Sequence, residues 1–291
     1  MAEGKQAQVV LITGATDGLG RAAAIYLAER SYRVFAAGRS REKRAELDAL
    51  VAQRKLPLET LEMDVCDDAS VAHGIRTVLE KAGAIDVLVN NAGLGYVATV
   101  EDLTLDDFRR QFETNFIGVL RVTKAVLPHM RARRRGRILM MSSVAGLVTP
   151  PTYGAYSGSK FALEGMSGSL RMELYPFGIH VILIEPGYIV TNFAKTAAAM
   201  AMPYFEAGKS GPYAKIYENA WNSSKRSRER SRTTPEDCAR VILKAIEAPR
   251  PNVRYGVTPL ATLTRWGKRL FSDRAMDAWL RRRFRITRSP K

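Results

Sequence analysis

Tyr156 and Lys160 stand four residues apart in the stretch from Met141 to Lys160, MSSVAGLVTPPTYGAYSGSK. At the start of a helix that spacing puts both side chains on one face, so a phenol and an ammonium can lean on one site. A free phenol has a pKa near about 10 and exchanges protons poorly at neutral pH, but an adjacent cation favours phenolate and lowers that value. Tyr156 is thereby a candidate general acid or base. Ser142 and Ser143 close the apolar run just before it. A Tyr-Lys pair at this spacing also occurs as a plain surface pair, so its weight comes from the rest of the chain.

The second place where chemistry is legible is TGATDGLG, residues 13 to 20. It stops QVVLIT, Gln8 to Thr13, a short apolar run rich in β-branched residues, and leads into a helix over Leu19 to Arg30. Gly14, Gly18 and Gly20 let the backbone turn tightly and approach a pyrophosphate at the helix N-terminus, with Thr16, Asp17 and Leu19 in the same turn. A second strand, Tyr32 to Ala37, completes a βαβ unit and ends at Gly38-Arg39-Ser40. An acidic residue there would serve the ribose 2'-hydroxyl of NAD, whereas an arginine accommodates a 2'-phosphate. Arg39 therefore favours NADP over NAD. Arg41, Lys43 and Arg44 read as solvated charges on the following helix.

These two sites need a sheet to bring them together, and the chain supplies one. Leu58 to Met63 is a third strand, with Asp64-Val65 where a loop turns back over an adenine. A helix over Ser70 to Lys81 precedes a fourth strand, Ile85 to Val89, ending in Asn90-Asn91-Ala92-Gly93, whose small residues and amides suit a turn beside a cofactor. Leu105 to Arg133 reads as one long helix carrying Asn115, a poor interior helix residue unless its amide has a partner. Its basic end, RARRRGR, suits the negative end of a helix dipole. Arg137 to Met141 is a fifth strand and delivers the serines to the carboxyl edge of the sheet, where ligands of such sheets bind.

After the Tyr156 helix, which runs to about Tyr175, Ile179 to Glu185 is a sixth strand ending at Pro186-Gly187, and Thr191 follows toward the nicotinamide end. Asn192 to Trp221 reads either as a lid over an apolar substrate or as a packing helix pair. Ser223 to Arg232 reads as an exposed, mobile loop. Thr234-Pro235-Glu236-Asp237 restarts a helix with a capping pattern, and Asn252 to Val257 is the seventh strand. The fold class is α/β: a doubly wound, Rossmann-type parallel sheet of about seven strands with helices on both faces. Residues 1–258 form one dinucleotide-binding and catalytic domain with a lid region at about 188–232, and 259–291 form a basic amphipathic extension.

Composition narrows the class. The chain has 291 residues, 46% apolar and 25% charged, enough for one large core. No run approaches the roughly 18 uninterrupted apolar residues of a spanning helix, and MAEGKQAQVVLITG lacks a signal pattern, so the cytoplasm is expected. Cys66 and Cys238 lack metal-ligand spacing, and His73, His129 and His180 are scattered singly, which gives a metal site or a Ser-His-Asp triad little support. The net charge of +16 suggests nucleic acid until it is located: from Arg250 onward 12 Lys+Arg face 2 Asp+Glu, so ten of the sixteen charges belong to the tail.

Taken together, these stretches resemble the short-chain dehydrogenase/reductase family over roughly residues 8 to 257. Five separated motifs stand in that family's order: TGxxxGxG at 13–20, NNAG at 90–93, Asn115 in the long helix, the Ser-Tyr-Lys set, and PG at 186–187. Ser143, thirteen residues before Tyr156, is the matching serine. The resemblance implies that Tyr156 exchanges a proton with the substrate oxygen and that Ser143 hydrogen-bonds that oxygen. It also implies that Lys160 holds the nicotinamide ribose and lowers the tyrosine pKa, and that Asn115 anchors a water relay. Hydride then moves between the nicotinamide and a carbonyl carbon, and no metal is needed. A homodimer or homotetramer is expected.

Two departures stand out: Asp17 sits where NADP-preferring members often carry Lys or Arg, and would repel a 2'-phosphate; Gly158 replaces the alanine common in YxASK. The expected function is an NADP(H)-dependent oxidoreductase acting on a carbonyl or secondary alcohol in an apolar substrate of the hydroxysteroid, retinoid or fatty-acyl kind. The alternative is a non-catalytic NAD(P)-sensing protein. Nucleic-acid binding rests on charge alone and is set aside. Beyond Pro259 the resemblance ends, and TRWGKRLFSDRAMDAWLRRRFRITR interleaves large apolar residues with arginines. Such a segment can lie on an anionic membrane, or pack on the domain or on a second subunit.

Overall fold

The short apolar runs become strands because both of their faces are covered. The computed structural model describes residues 7–287. Val9–Thr13 (β1), Arg33–Gly38 (β2), Leu58–Glu62 (β3), Val87–Asn90 (β4), Gly136–Met141 (β5), Ile179–Glu185 (β6) and Arg254–Gly256 (β7) form one all-parallel sheet in the order β3-β2-β1-β4-β5-β6-β7. Near-continuous hydrophobicity is what a doubly covered parallel strand requires. The chain builds outward from β1 to β3, then returns to lay β4 on the other side of β1. That reversal opens a crevice at the carboxyl ends of β1 and β4. Each of the seven strands begins and ends within about two residues of its sequence-based expectation.

Helices Gly18–Ala28 (α1), Arg41–Arg54 (α2) and Asp68–Ala82 (α3) connect the first strands. Leu105–Phe112 (α4), Gly118–Ala132 (α5) and Gly154–Leu174 (α6) flank β5; Asn192–Gly208 (α7), Ala214–Arg230 (α8), Pro235–Glu247 (α9), Pro259–Leu270 (α10) and Asp273–Phe284 (α11) complete the chain. One face of the sheet is covered by α1, α2 and α9, whose Ala23, Leu27, Leu47, Cys238 and Ile242 are buried there. The other is covered by α3, α5 and α6 through Ile75, Val78, Val122, Met130 and Leu163. Among the described residues no helix is long and apolar enough to cross a membrane.

Three segments differ from the reading of the sequence or resolve it. The expected single helix over Leu105 to Arg133 is interrupted at Glu113–Ile117 by a wider π-helical turn that holds Asn115. The expected mobile loop over Ser223 to Arg232 is mostly helix: α8 runs on to Arg230. Lys, Arg and Glu form helices well, and cations in the last turn suit the dipole. The buried face of α8 includes Asn219 and Ser223, small polar residues that show no apolar period, and the Asn219 amide donates to the Arg285 carbonyl at 3.1 Å. The Asn192 to Trp221 segment is thus part of a helix pair, α7 and α8, and that pair also covers the site described below.

The C-terminal extension packs on the domain. Thr258 caps α10 by accepting from the Ala261 N–H at 3.3 Å, with Pro259 in the first turn where its missing N–H costs nothing. Ala261, Thr264 and Phe284 are buried, Arg265 pairs with Glu185 at 3.5 Å, and the Lys268 ammonium sits 4.6 Å above the Phe161 ring. The opposite side of α10 leaves Leu263 67% and Leu270 72% exposed, with Trp266 and Phe271 beside them.

Candidate active site

The glycine turn after β1 is built by close approach. Gly14 and Gly18 take φ of +61° and +54°, a region where side chains are strained, and a Cβ on Gly14 would fall 2.8 Å from the Ala92 Cα. Asn91 and Ala92 are held against this turn by the Thr13 hydroxyl, which accepts from their N–H groups at 3.0 and 3.1 Å. The Asn91 amide donates to the carbonyls of Thr13 and Gly14 at 2.9 and 3.0 Å. A cavity of about 500 Å³ lies over this frame. Gly14, Thr16, Asp17, Gly18, Leu19, Arg39, Asp64, Val65, Asn91, Ala92, Gly93, Ser143, Tyr156, Lys160, Pro186, Gly187 and Thr191 all line it. Two of the expected residues do not. Gly20 lies where a Cβ would meet the Asn91 amide at 2.4 Å, so its part is to let α1 pack closely. Asn115 lies behind the wall.

At the end of β2 the structure corrects two readings. Lys43 is not a free solvated charge: its ammonium donates to the Asp17 carboxylate at 2.5 Å, and both residues line the cavity. Asp17 also accepts from the Gly18 N–H at 2.7 Å and the Asn192 amide at 2.9 Å. Burial alone would raise its pKa, but the hydrogen bonds from Lys43, Asn192 and Gly18 hold it below the usual carboxylate value. The Asp17 charge is therefore matched locally. Arg44 is structural as well, donating to the Gly38 and Arg39 carbonyls at 2.9 and 3.0 Å and so fixing the strand end. Arg39, its side chain 74% exposed, reaches Asp64 at 3.6 Å.

The other end of the cavity carries Ser143, Tyr156 and Lys160. Lys160 is 5% exposed and donates to the Met141 carbonyl at 2.7 Å, using one of its three N–H groups among the described residues. Burial lowers its pKa to about 8, against a smaller opposing pull from Glu164. Burial likewise pushes the Tyr156 phenol up to about 12, with the Ser143 hydroxyl pulling the other way. That is the reverse of the lowering expected from Lys160, whose ammonium sits 5.7 Å from the centre of the phenol ring. The physical reason is that desolvation of the phenolate outweighs a cation placed to one side.

Asn115 is fully buried in its π turn. Its oxygen accepts from the Leu94 N–H at 2.9 Å, and its nitrogen donates to the Leu94 carbonyl at 2.9 Å and the Ser159 hydroxyl at 3.2 Å. Its amide thus ties the loop after β4 to the helix that carries Tyr156 and Lys160. Ser142, the neighbour of Ser143, donates to Glu164. Glu164 and the fully buried Glu185 both pair with Arg254, and Arg265 of α10 approaches Glu185 from the other side. This network under the site was missed in the sequence; the one signal for it was a carboxylate, Glu185, closing an otherwise apolar strand.

A second cavity, of about 270 Å³, adjoins the first. Ser143, Tyr156, Gly187 and Phe193 belong to both linings. The Phe193 ring of α7 lies 6.0 Å from the Tyr156 ring. Much of the remaining wall is apolar: Val97, Val144 and Val148 from two loops, Phe205 of α7, Tyr217 and Trp221 of α8, and Leu260, Trp279, Leu280 and Phe284 of the C-terminal extension, with Ser223, Ser224, Ser227 and Arg283 forming a polar end. That the extension walls this cavity was not legible in the sequence, because the contact joins residues far apart in the chain.

The family model described as short chain dehydrogenase matches residues 8–201. Over 268 residues the chain is 37% identical to retinol dehydrogenase 8 of Homo sapiens, covering 88% of this chain and 84% of that protein. It is 37% identical over 256 residues to 17-beta-hydroxysteroid dehydrogenase type 1 of Homo sapiens, with 86% and 77% covered. Among solved structures, that of a short-chain dehydrogenase from Streptomyces avermitilis is similar with a TM-score of 0.75 at 29% identity, covering 98% of this chain and 100% of that one.

Proposed function

Because the chain belongs to the short-chain dehydrogenase family, and is on that ground an NAD(P)-dependent oxidoreductase, we propose that it uses NADP(H) to interconvert a carbonyl and a secondary alcohol on an apolar substrate. The observation that carries this reading is the shared wall. Ser143 and Tyr156 stand between a cavity built on the glycine turn and a cavity lined mainly by aromatic and aliphatic side chains. The residues fit a nicotinamide dinucleotide: the turn can hold a pyrophosphate at the start of α1, and the two unused N–H groups of Lys160 suit sugar hydroxyls. When bound, such a cofactor supplies or accepts the hydride.

The protein's own groups do the rest. Ser143 and Tyr156 hold the substrate oxygen by hydrogen bonds and so orient the carbonyl. In reduction, the proton on the Tyr156 hydroxyl passes to that oxygen as negative charge develops there; in oxidation the Tyr156 oxygen takes the proton back from the alcohol. A phenol held at about 12 is protonated at neutral pH, which supports its use as the donor. Phe193 and the aromatic wall exclude water. Asn115 positions the Lys160 helix and is proposed to anchor the water relay to the lysine. The alternative of a non-catalytic sensor is less well supported, because a pure sensor would not need Asn115, Ser143, Tyr156 and Lys160 all together.

Substrates of the hydroxysteroid, retinoid or fatty-acyl type suit the apolar cavity, and the names of the two relatives point the same way. Assembly into a homodimer or homotetramer and contact of the extension with a membrane surface belong to this proposal. For the cofactor, Arg39, Ser40 and Lys43 cluster at the end of β2, and Lys43 offsets Asp17. A charge-assisted contact to a phosphate is worth about 1.5–3 kcal/mol, so kcat/KM for NADPH should exceed that for NADH by about tenfold or more. Steady-state rates with a carbonyl panel measure this. Arg39→Ala should erode the preference, and Lys43→Ala should erode it further by leaving Asp17 uncompensated. An NADH preference in the unaltered protein would overturn the cofactor assignment.

A further inference from the structure

Two basic helix ends meet beside the apolar cavity. Along one side of α8 the lining passes from Tyr217 and Trp221 through Ser224 and Ser227 to Arg226 and Arg230, and α11 brings Trp279, Arg282 and Arg283 alongside. They border a half-open chamber of about 810 Å³ that shares Tyr188, Ser223, Ser227, Leu260, Trp279 and Arg283 with the cavity next to Tyr156. The described residues lining the chamber include five arginines, with Arg232 the fifth, and no carboxylate.

Cations in the last turn of a helix would ordinarily need no further explanation, since they complement the dipole. Here two such ends face each other. Elsewhere the arginines beside the site are matched, as Arg254 is by Glu164 and Glu185 and Arg265 is by Glu185. Burial, and then the charges of Arg226 and Arg230, hold the Arg283 pKa below the usual guanidinium value. The Arg283 guanidinium instead sits 5.8 Å from the centre of the Trp279 ring. Guanidiniums gathered around one open chamber, with no carboxylate partner among the described residues, repel one another until an anion joins them, and guanidiniums bind carboxylate or phosphate through paired N–H bonds.

We infer that this arginine-lined chamber receives an anionic group carried by the substrate, so that the natural substrate is amphipathic, with hydrocarbon beside Tyr156 and a carboxylate, phosphate or sulfate at its far end. The inference rests on the oxidoreductase reading of the Tyr156 site and narrows its substrate class. It excludes cationic lipids, which the five arginines repel.

Calorimetric titration of the full chain with NADP⁺ present, using monomeric dodecanoate, dodecanol, dodecylammonium and inorganic phosphate as probes, tests it. Dodecanoate should bind at least about tenfold more tightly than dodecanol, with dodecylammonium weakest and phosphate alone far weaker than dodecanoate. The double variant Arg226→Gln, Arg283→Gln should lose the preference for dodecanoate and keep its affinity for dodecanol and NADP⁺, which also reports that it has folded. If the double variant does not fold, Arg226→Gln and Arg282→Gln are measured singly, and each should lose part of the preference. Equal binding of acid and alcohol, or a preference that survives the substitutions, would overturn the inference. Phosphate binding as tightly as dodecanoate would make this a site for a free anion and also overturn it. Because binding is read without turnover, the two readings separate: turnover of neutral ketones without dodecanoate selectivity sinks the chamber alone, and selectivity in a chain that turns over no carbonyl sinks the oxidoreductase reading.

Discussion

Burial sets the charge state of the two residues that the site depends on, and it leaves a trace in stability. The Lys160 pKa falls from 10.5 to about 8 on folding. Below about pH 8 the lysine is charged in both states and the full cost of burying an ammonium is present. Between about 8 and 10.5 the unfolded chain holds more protons than the folded one, so stability rises with pH as that cost is relieved. The difference amounts to on the order of 3 kcal/mol. Lys160→Met should therefore raise the Tm at pH 7, with a gain over the unaltered protein that shrinks as pH climbs through this window. A Tm for the variant below that of the unaltered protein at pH 7 would count against it. At this scale the residue types were legible, and what they touch was not. Asp17 and Lys43 are 26 residues apart, and only the folded βα turn shows that one answers the other.

Elements were legible where their signal is local. A β-branched run stopped by glycines is enough to place β1, and a buried strand needs no knowledge of its neighbours to be recognised. Two elements lacked such a signal. The π turn at Glu113–Ile117 arises because Asn115 must face Leu94 and Ser159 at once, a demand set by the loop after β4 and by α6 rather than by the helix itself. The buried side of α8 includes serine and asparagine, so its hydrophobic period is faint and its charges dominated the reading. The turn predicts its own test. Asn115→Ala leaves the Leu94 N–H without its acceptor, at a cost of about 1–3 kcal/mol. Urea unfolding should show a lower midpoint with an unchanged slope. An unshifted midpoint would mean that the amide does not hold the loop.

At the scale of the whole molecule, the surplus charge of the tail has several destinations that composition merged into one figure, Arg254 and Arg265 among them meeting the buried Glu185. Arg282 and Arg283 line the chamber, while Arg269 lies over Trp266 in the exposed ridge that Trp266 forms with Leu263, Leu270 and Phe271 along and just after α10. Among the described residues of the extension, that ridge is the surface on which the membrane proposal rests, since each cation near an anionic surface adds about 1 kcal/mol. Deleting the extension would be a poor test, because it also walls the apolar cavity and supplies a second partner of Glu185. Instead, Trp266→Ser, Leu270→Ser and Phe271→Ser together should abolish sedimentation with phosphatidylserine vesicles at low salt without lowering the Tm. Failure of the unaltered protein to sediment would end the membrane proposal. The central claim is that the wall between the two cavities is where a proton is exchanged, by the Tyr156 hydroxyl. Tyr156→Phe removes that hydroxyl with little change of shape, so the most direct measurement is single-turnover oxidation of bound NADPH by a carbonyl substrate in the variant. The rate should fall by at least about 100-fold while NADPH affinity holds; a rate within a few-fold of the unaltered protein would contradict the account.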